Sequence, residues 1–143
     1  MEKRTSDEIK QVFGEDLTIL PNGLSSPDDL TSQFKAMLGS AEAGLHRGVV
    51  YCYLSDKPVK TKNGETCILY LGKTKSSIKQ RYFRYSDRLS SGKNAEFYQQ
   101  VIKNYGGVKM GFLAADSPRE DEKACFSRYR KLHGQMPPKS KRG

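Results

Sequence analysis

Two segments rich in β-branched and aromatic residues, on either side of an Asn63-Gly64 turn, constrain the fold more than any other feature of this chain. One segment runs from Val49 to Leu54 and the other from Thr66 to Leu71, and both compositions favour strands. Asn-Gly between two such segments is a strong signal for a hairpin tip. We therefore predict two antiparallel strands joined by a long loop, with Tyr51 and Tyr70 on neighbouring strands.

The residues after the hairpin predict a basic helix that begins near Ser76. Apolar side chains recur there at helical spacing, at Ile78, Tyr82, Tyr85 and Leu89. Three arginines repeat on an adjoining face, at positions 81, 84 and 88. One side of this helix is therefore expected to pack while its flank stays cationic.

The rest of the chain predicts a helix, a strand and a last helix. Asn94 is expected to cap the first of these helices, and Val108 to Ala115 has the composition of a strand. The sequence Ser117-Pro118-Arg119-Glu120 predicts a capping box at the start of the last helix, which leaves Glu122 available for chemistry. The order of elements predicts an α+β fold.

The first 47 residues differ from the rest in charge. They contain five Lys and Arg against eight Asp and Glu, whereas residues 48–143 contain twenty against eight. Ser26-Pro27 predicts the capped start of a helix that runs through Leu38, after a shorter helix from Ser6 to Phe13. We predict a helical N-terminal arm over 1–47 and a second domain over 48–143 that ends in a basic tail.

The composition limits the class of protein. No segment approaches the roughly 18 consecutive apolar residues of a membrane span, and the charged start lacks a secretory signal. The three scattered cysteines, Cys52, Cys67 and Cys125, predict reduced and mostly buried thiols rather than disulfides or a zinc site. We expect an intracellular protein, cytoplasmic and nucleoid-associated or nuclear, with no membrane partner.

The basic part of the chain predicts a nucleic-acid partner. Five cationic residues near the helix that follows the hairpin could follow the phosphates of one strand: Lys75, Lys79, Arg84, Arg88 and Lys93. His46 and His133 lie outside the motif segments, and we interpret them as incidental.

The chain resembles the GIY-YIG nucleases in an ordered set of residues: Gly48-Val49-Val50-Tyr51, then Tyr70-Leu71-Gly72-Lys73, then Arg81, and then a helical glutamate, Glu122. The local resemblance is to the nuclease module of the bacterial excision-repair incision subunit. It covers residues 48 to about 138. The resemblance implies a three-stranded antiparallel sheet flanked by helices.

The resemblance also implies roles for these residues. Tyr51, Tyr70, Lys73 and Arg81 would be catalytic, Tyr85 would position water or phosphate, and Glu122 would hold a single Mg²⁺, with Mn²⁺ as an alternative. Arg81 would clamp the phosphate, and a phenolate would take a proton from the attacking water. Tyr51 is the first candidate for this base, provided that a cation such as Lys73 favours its charged form, and Tyr70 is the second.

The resemblance, together with the basic charge, implies a metal-dependent endonuclease that acts on DNA, double-stranded or branched, as a monomer or a homodimer. RNA is a less favoured substrate. Many members of the family carry an asparagine shortly after a proline near the end, whereas Ser140 stands at the nearest equivalent position here. A catalytically inactive nucleic-acid-binding protein is therefore the alternative, and an interaction role for the acidic arm is a weaker one.

Overall fold

The computed structural model describes residues 3–82 and 92–140. Within those ranges it contains five α-helices, one 3₁₀ helix and four strands. The helices are α1 (Lys3–Phe13), α2 (Leu30–Leu38), α3 (Ile78–Arg81), α4 (Gly92–Tyr105) and α5 (Pro118–His133), with the 3₁₀ helix at Glu42–Gly44. The strands are β1 (Thr18–Ile19), β2 (Val49–Thr61), β3 (Gly64–Thr74) and β4 (Val108–Ala114).

The four strands form one antiparallel sheet in the order β1-β4-β2-β3. The α+β class is confirmed, but the expectation of three strands is wrong. The additional strand, β1, comes from the acidic N-terminal segment and pairs with β4 through Thr18 and Ile19. Because it is only two residues long, it leaves no alternating pattern in the sequence.

Both faces of the sheet are buried, which explains why β2 begins with an unbroken apolar run. Val49, Tyr51 and Tyr53 pack in one core cluster with residues of α2 and α4. Val50, Cys52 and Leu54 alternate with them and pack in a second cluster with residues of α1 and α5. The sheet is therefore the middle of three layers.

The hairpin differs from the expected long loop. Lys62 and Asn63 alone join β2 to β3, so the turn lies where the Asn-Gly signal placed it, but both strands extend much further than predicted. The register shifts at two places, between Tyr53 and Leu54 and between Leu54 and Val59. Pro58 lies in the second irregularity, where its missing N–H is tolerated.

Three predicted helix starts need correction. The side chain of Asp29, not that of Ser26, caps α2 by accepting a hydrogen bond from the Ser32 amide at 3.3 Å. Helix α4 begins at Gly92 and so includes Asn94. Ser117 precedes α5, but its side chain makes no capping hydrogen bond, so the capping box is wrong.

The remaining fold predictions have mixed outcomes. All three cysteines are free and buried, as predicted. Helix α3 accounts only for Ile78–Arg81 of the predicted basic helix, and residues 83–91 lie outside the described ranges. No helix in the described part of the chain is long and apolar enough to cross a membrane.

Candidate active site

A cleft of about 680 Å³ lies along the edge strand β3 and contains five of the six residues predicted to be catalytic. They are Tyr51 from β2, Tyr70 and Lys73 from β3, Arg81 from α3 and Glu122 from α5. The sixth, Tyr85, lies outside the described residues. Positions separated by as many as 71 residues in the sequence therefore line one surface.

Tyr51 is held in place by a glycine on the neighbouring strand. It pairs with Gly72 in the β2–β3 register, and its ring covers the space that a side chain at position 72 would need. A Cβ at that position would lie 2.6 Å from Cζ of Tyr51 and 2.7 Å from its hydroxyl oxygen. Glycine is required here because the ring occupies that space.

Burial controls the ionisation of Tyr51. The residue is only 1% exposed, and loss of solvation raises the pKa of its phenol to about 12. The neighbouring Tyr82 hydroxyl and the positive charge of Arg81 act in the opposite direction and lower it. The phenolate is therefore scarce at neutral pH unless further positive charge reaches the cleft.

Tyr70 is more accessible than Tyr51. It is half-buried, and its ring stacks on that of Tyr53, with 4.8 Å between centroids and 24° between planes. Its ring centroid lies 6.3 Å from that of Tyr51. The two phenols of the predicted site are therefore neighbours in space as well as on paired strands.

Arg81 ends the short helix α3, which Ser77 caps by accepting a hydrogen bond from the Gln80 amide at 3.1 Å. The guanidinium lies over the ring of Tyr82, 5.3 Å from its centroid, and the side chain is exposed toward the cleft. Partial burial lowers the pKa of Arg81, but the surrounding phenols outweigh this effect and raise it. Arg81 therefore stays fully charged.

Lys73 on β3 pairs with Glu122 on α5. Its Nζ lies 3.4 Å from Oε1 of Glu122, and the two side chains are 42% and 17% exposed. The positive charge of Arg81 lowers the pKa of the Tyr51 phenol and so favours its phenolate.

Glu122 is the one carboxylate among the described residues that line the cleft. The described part of the chain contains no group of three or more His, Cys, Asp or Glu side chains arranged to hold a metal. Mg²⁺ is commonly bound through one or two carboxylates, with waters and substrate phosphate oxygens as its other ligands. A partly exposed single carboxylate beside an open cleft fits that mode of binding.

The cleft contains three cations that the sequence analysis did not single out. Arg119 and Lys123 line it from α5, and Lys139 lines it from the C-terminal segment. Arg119, Glu122, Lys123 and Phe126 follow helical spacing, which was a usable signal for the two α5 cations. In the described part of the chain, five cationic side chains and one carboxylate line the cleft, which therefore suits a polyanion.

The C-terminal segment reaches the cleft by pairing with the free edge of β3. The Lys139 amide donates to the Leu69 carbonyl at 2.8 Å, and the Leu71 amide donates to Oγ of Ser140 at 3.3 Å. Ser140, at the position nearest to the family asparagine, lines the cleft. Nothing local in the sequence marks this contact, because its partner lies about seventy residues away.

The structure describes three of the five residues that were predicted to contact phosphate. Lys75, Lys79 and Lys93 are exposed, but they are not among the residues that line the cleft. Arg84 and Arg88 lie outside the described residues. The binding roles of these five residues stay predictions.

His46 is exposed, whereas His133 belongs to a buried polar cluster on the other side of the sheet. Its Nε2 lies 2.6 Å from Oε2 of Glu8, and its Nδ1 lies 3.1 Å from Oγ1 of Thr61. The Thr66 hydroxyl and the Cys67 amide also donate to the Glu8 carboxylate, at 2.5 and 3.0 Å. The cluster joins α1 to the hairpin and to α5.

No family model matches the chain, and comparisons with curated proteins and with solved structures found no match either. The relation to the GIY-YIG nucleases stays a resemblance carried by the residues quoted above.

Proposed function

We propose that this protein is a metal-dependent endonuclease that hydrolyses phosphodiester bonds in DNA with a site of the GIY-YIG type. The observation that carries the proposal is the presence of Tyr51, Tyr70, Lys73, Arg81 and Glu122 in one cleft. These are the residues that carry the family resemblance, and they line one surface although as many as 71 positions separate them in the sequence.

The charge of the cleft supports a phosphodiester substrate. Hydrolysis concentrates negative charge on the phosphate in the transition state, so a nuclease must place positive groups around it before the reaction. Arg81 offers a planar guanidinium that can donate two hydrogen bonds to one phosphate. Arg119, Lys123 and Lys139 would bind the neighbouring phosphates of the same strand.

Glu122 would hold Mg²⁺, with Mn²⁺ as the alternative ion. When bound, the ion supplies positive charge to the nonbridging and leaving oxygens of the phosphate. Lys73 pairs with the carboxylate at 3.4 Å and helps to hold it at the cleft. A phenolate, from Tyr51 or from Tyr70, would remove a proton from the attacking water.

The deciding experiment mixes purified full-length protein with supercoiled plasmid and MgCl₂ and compares Glu122→Gln with the unaltered chain. We expect nicking that EDTA abolishes and that falls by roughly a hundredfold or more in the variant, because one charged active-site group is lost. Glu120→Gln is the matched control, since Glu120 is exposed on the same helix and outside the cleft lining. Cleavage that survives in Glu122→Gln would reject this site.

Arg81→Ala tests the phosphate clamp separately. Arg130→Ala is its control, because Arg130 is an exposed arginine near the distal end of α5. A loss of cleavage confined to Arg81→Ala supports the assignment, and equal losses in both would indicate nonspecific charge attraction. A panel of duplex, branched and single-stranded DNA with matched RNA identifies the substrate.

The burial of Tyr51 favours one second candidate, a nucleic-acid-binding protein without catalysis. A phenol with a pKa of about 12 is a poor base at neutral pH. This candidate predicts salt-sensitive binding to nucleic acid and no cleavage of any substrate in the panel, with either metal.

A further inference from the structure

Leu45 is the one large hydrophobic residue that is exposed in the described part of the chain, at 62%. It directly follows the 3₁₀ helix, and its amide donates to the Glu42 carbonyl at 3.2 Å. Ala43, two residues earlier, is buried, and the ring of His46 lies 6.1 Å from that of Phe112 on β4. A backbone that is fixed on both sides therefore presents Leu45 to solvent.

The segment before Leu45 packs against α3, which supplies Arg81 to the cleft. A Cβ on Gly44 would lie in ordinary contact with the Lys79 side chain, 3.7 Å from its Cδ. Lys79 and Arg81 are two residues apart on α3, so their side chains point to different sides of that helix. Arg81 lines the cleft, while Lys79 lies toward the segment that carries Leu45. Helix α3 therefore lies between this segment and the cleft.

The segment after Leu45 meets the start of α5, which supplies Arg119 to the cleft. The Ala115 amide donates to the Gly48 carbonyl at 2.9 Å, and a Cβ on Gly48 would lie 3.7 Å from Cγ of Pro118. Pro118 is the first residue of α5, and Arg119 beside it lines the cleft. The turn that presents Leu45 is therefore bounded by both helices that hold arginines of the cleft.

The charged side chains around Leu45 favour a polyanion. Glu42 and Asp116 are outweighed by three exposed cations, which are Arg47, Lys75 and Lys79. Lys75 and Lys79 belong to the predicted phosphate contacts but do not line the cleft. A second contact surface beside the cleft accounts for their position. A lone exposed leucine is ordinary, but one that is held rigidly among cations beside such a cleft suits a nucleic acid.

We propose that Leu45 is a wedge that inserts between stacked bases of duplex DNA, close to the bond that the cleft cleaves. An apolar side chain inserted at a base step partly unstacks the bases and kinks the duplex. The cations around Leu45 would bind the phosphates on either side of that step. The proposal rests on the proposed nuclease function, and it names the substrate as duplex DNA that is unstacked and bent near the cut.

The test places 2-aminopurine at successive positions of a DNA duplex and follows its fluorescence, which rises when the base is unstacked. Full-length Glu122→Gln is the parent protein, so that binding is measured without cleavage. We expect a rise of roughly threefold or more at one or two adjacent positions. Adding Leu45→Ala should abolish the rise at saturating protein and weaken binding about three- to tenfold. A rise that persists in Leu45→Ala, a parent that unstacks no position, or a parent that does not bind DNA would overturn the proposal.

Two further variants control for size and for folding. Leu45→Met keeps an apolar side chain of similar volume and should keep the fluorescence rise. Leu132→Ala is the matched control, because Leu132 is a half-buried leucine on the opposite face of the sheet. Leu45→Ala should unfold at the same urea concentration as its parent, since Leu45 is exposed. A loss of the fluorescence rise shared by Leu132→Ala would indicate a general disturbance and count against the wedge.

A second copy of this chain is the alternative partner for an exposed leucine. Sedimentation of the unaltered chain and of Leu45→Ala without DNA, over a range of protein concentrations, distinguishes the two partners. We expect the two proteins to sediment alike at every concentration. Self-association that is lost in Leu45→Ala would assign the leucine to a contact between copies and overturn the wedge.

The plasmid assay separates failure of this proposal from failure of the proposed function. Cleavage by the unaltered chain without unstacking at any position would reject the wedge and leave the nuclease standing. Unstacking that depends on Leu45, without cleavage by the unaltered chain, would support the wedge and reject the nuclease. If both hold, a mismatch at the reporting step should restore much of the cleavage that Leu45→Ala loses, because mismatched bases unstack more easily. An equal loss on matched and mismatched duplexes would count against the wedge.

Discussion

Both faces of the sheet bury polar side chains, but one polar network lies next to the cleft and the other is closed. Behind the cleft, the hydroxyls of Tyr98, Tyr53 and Tyr82 form a hydrogen-bonded group, and the Tyr82 ring contacts that of Tyr51, which lines the cleft. On the opposite face, Glu8 receives its hydrogen bonds within a closed cluster that includes His133. A polar network that ends at a cleft can act on a ligand, whereas a closed one holds elements together.

Both networks satisfy the hydrogen-bonding groups that they bury. No described side chain buries a nitrogen or oxygen without a hydrogen-bond partner. Unsatisfied buried polar groups are costly, so both networks had to be completed for the fold to form. Substitutions on the face that carries Glu8 should therefore affect stability, whereas those on the face that carries the cleft should affect chemistry as well as stability.

The largest expected effect is on the closed face. Glu8→Ala removes the acceptor shared by His133, Thr66 and the Cys67 amide, and we expect it to lower the free energy of unfolding by about 3 to 5 kcal/mol. Urea unfolding measures the change. Asp7→Ala, an exposed neighbour on α1, is the control and should lie close to the unaltered chain.

Alkaline pH should have the next largest effect, a loss of stability through the buried phenols of Tyr51, Tyr53 and Tyr82. Burial raises the pKa of Tyr51 from its usual value near 10 to about 12 and also raises those of Tyr53 and Tyr82. The folded protein therefore holds these protons more tightly than the unfolded chain. Their contribution to the free energy of unfolding is fully present below pH 10 and is lost as the pH rises through the pKa values of the folded protein.

For Tyr51 alone, the rise of the pKa from near 10 to about 12 corresponds to a loss of about 3 kcal/mol in the free energy of unfolding at high pH. Unfolding by urea across this range checks the sign. In Tyr53→Phe the decline should be shallower, because one of the raised phenols is absent. A free energy of unfolding that stays level above pH 10 would contradict the burial argument.

Gly72→Ala should displace the ring of Tyr51 at the cleft. The new methyl group would lie 2.6 Å from Cζ of Tyr51, so the ring must move. We expect a loss of about 1 to 3 kcal/mol in stability, as for an overpacked core. Cleavage should fall by roughly tenfold to a hundredfold because a reacting group is misplaced.

Gly44→Ala is the control for that substitution. A Cβ on Gly44 meets only the Lys79 side chain, at an ordinary 3.7 Å. Stability and cleavage are both expected to stay close to those of the unaltered chain. If Gly72→Ala behaved in the same way, Tyr51 would not depend on the glycine for its position.

The smallest expected effect concerns the cations at the cleft. Lys123→Ala should reduce the slope of log affinity against log salt by about 1 for duplex DNA, since one phosphate contact is lost. Binding is measured with Glu122→Gln as the background, so that cleavage does not interfere. Lys131→Ala on the same helix is exposed and outside the cleft lining, and its slope should be unchanged.

Much of the fold could be predicted because it rests on short-range patterns. The hairpin turn at Asn63 and the helical spacing in α5 depend on neighbours within a few residues, and both are present. The predicted cap at Ser26 was wrong because Asp29 lies closer to the first turn and competes for the same role. Local signals place an element well but do not choose between adjacent capping residues.

The sequence alone determined that this chain would contain a hairpin with Tyr51 and Tyr70 on paired strands, and that its cysteines would be buried thiols. Side-chain alternation and turn chemistry encode such features within a few residues. Only the tertiary structure decided that Lys73 pairs with Glu122, that β1 extends the sheet and that the C-terminal segment lines the cleft. Those contacts join residues tens of positions apart, and the packing of the whole molecule selects them.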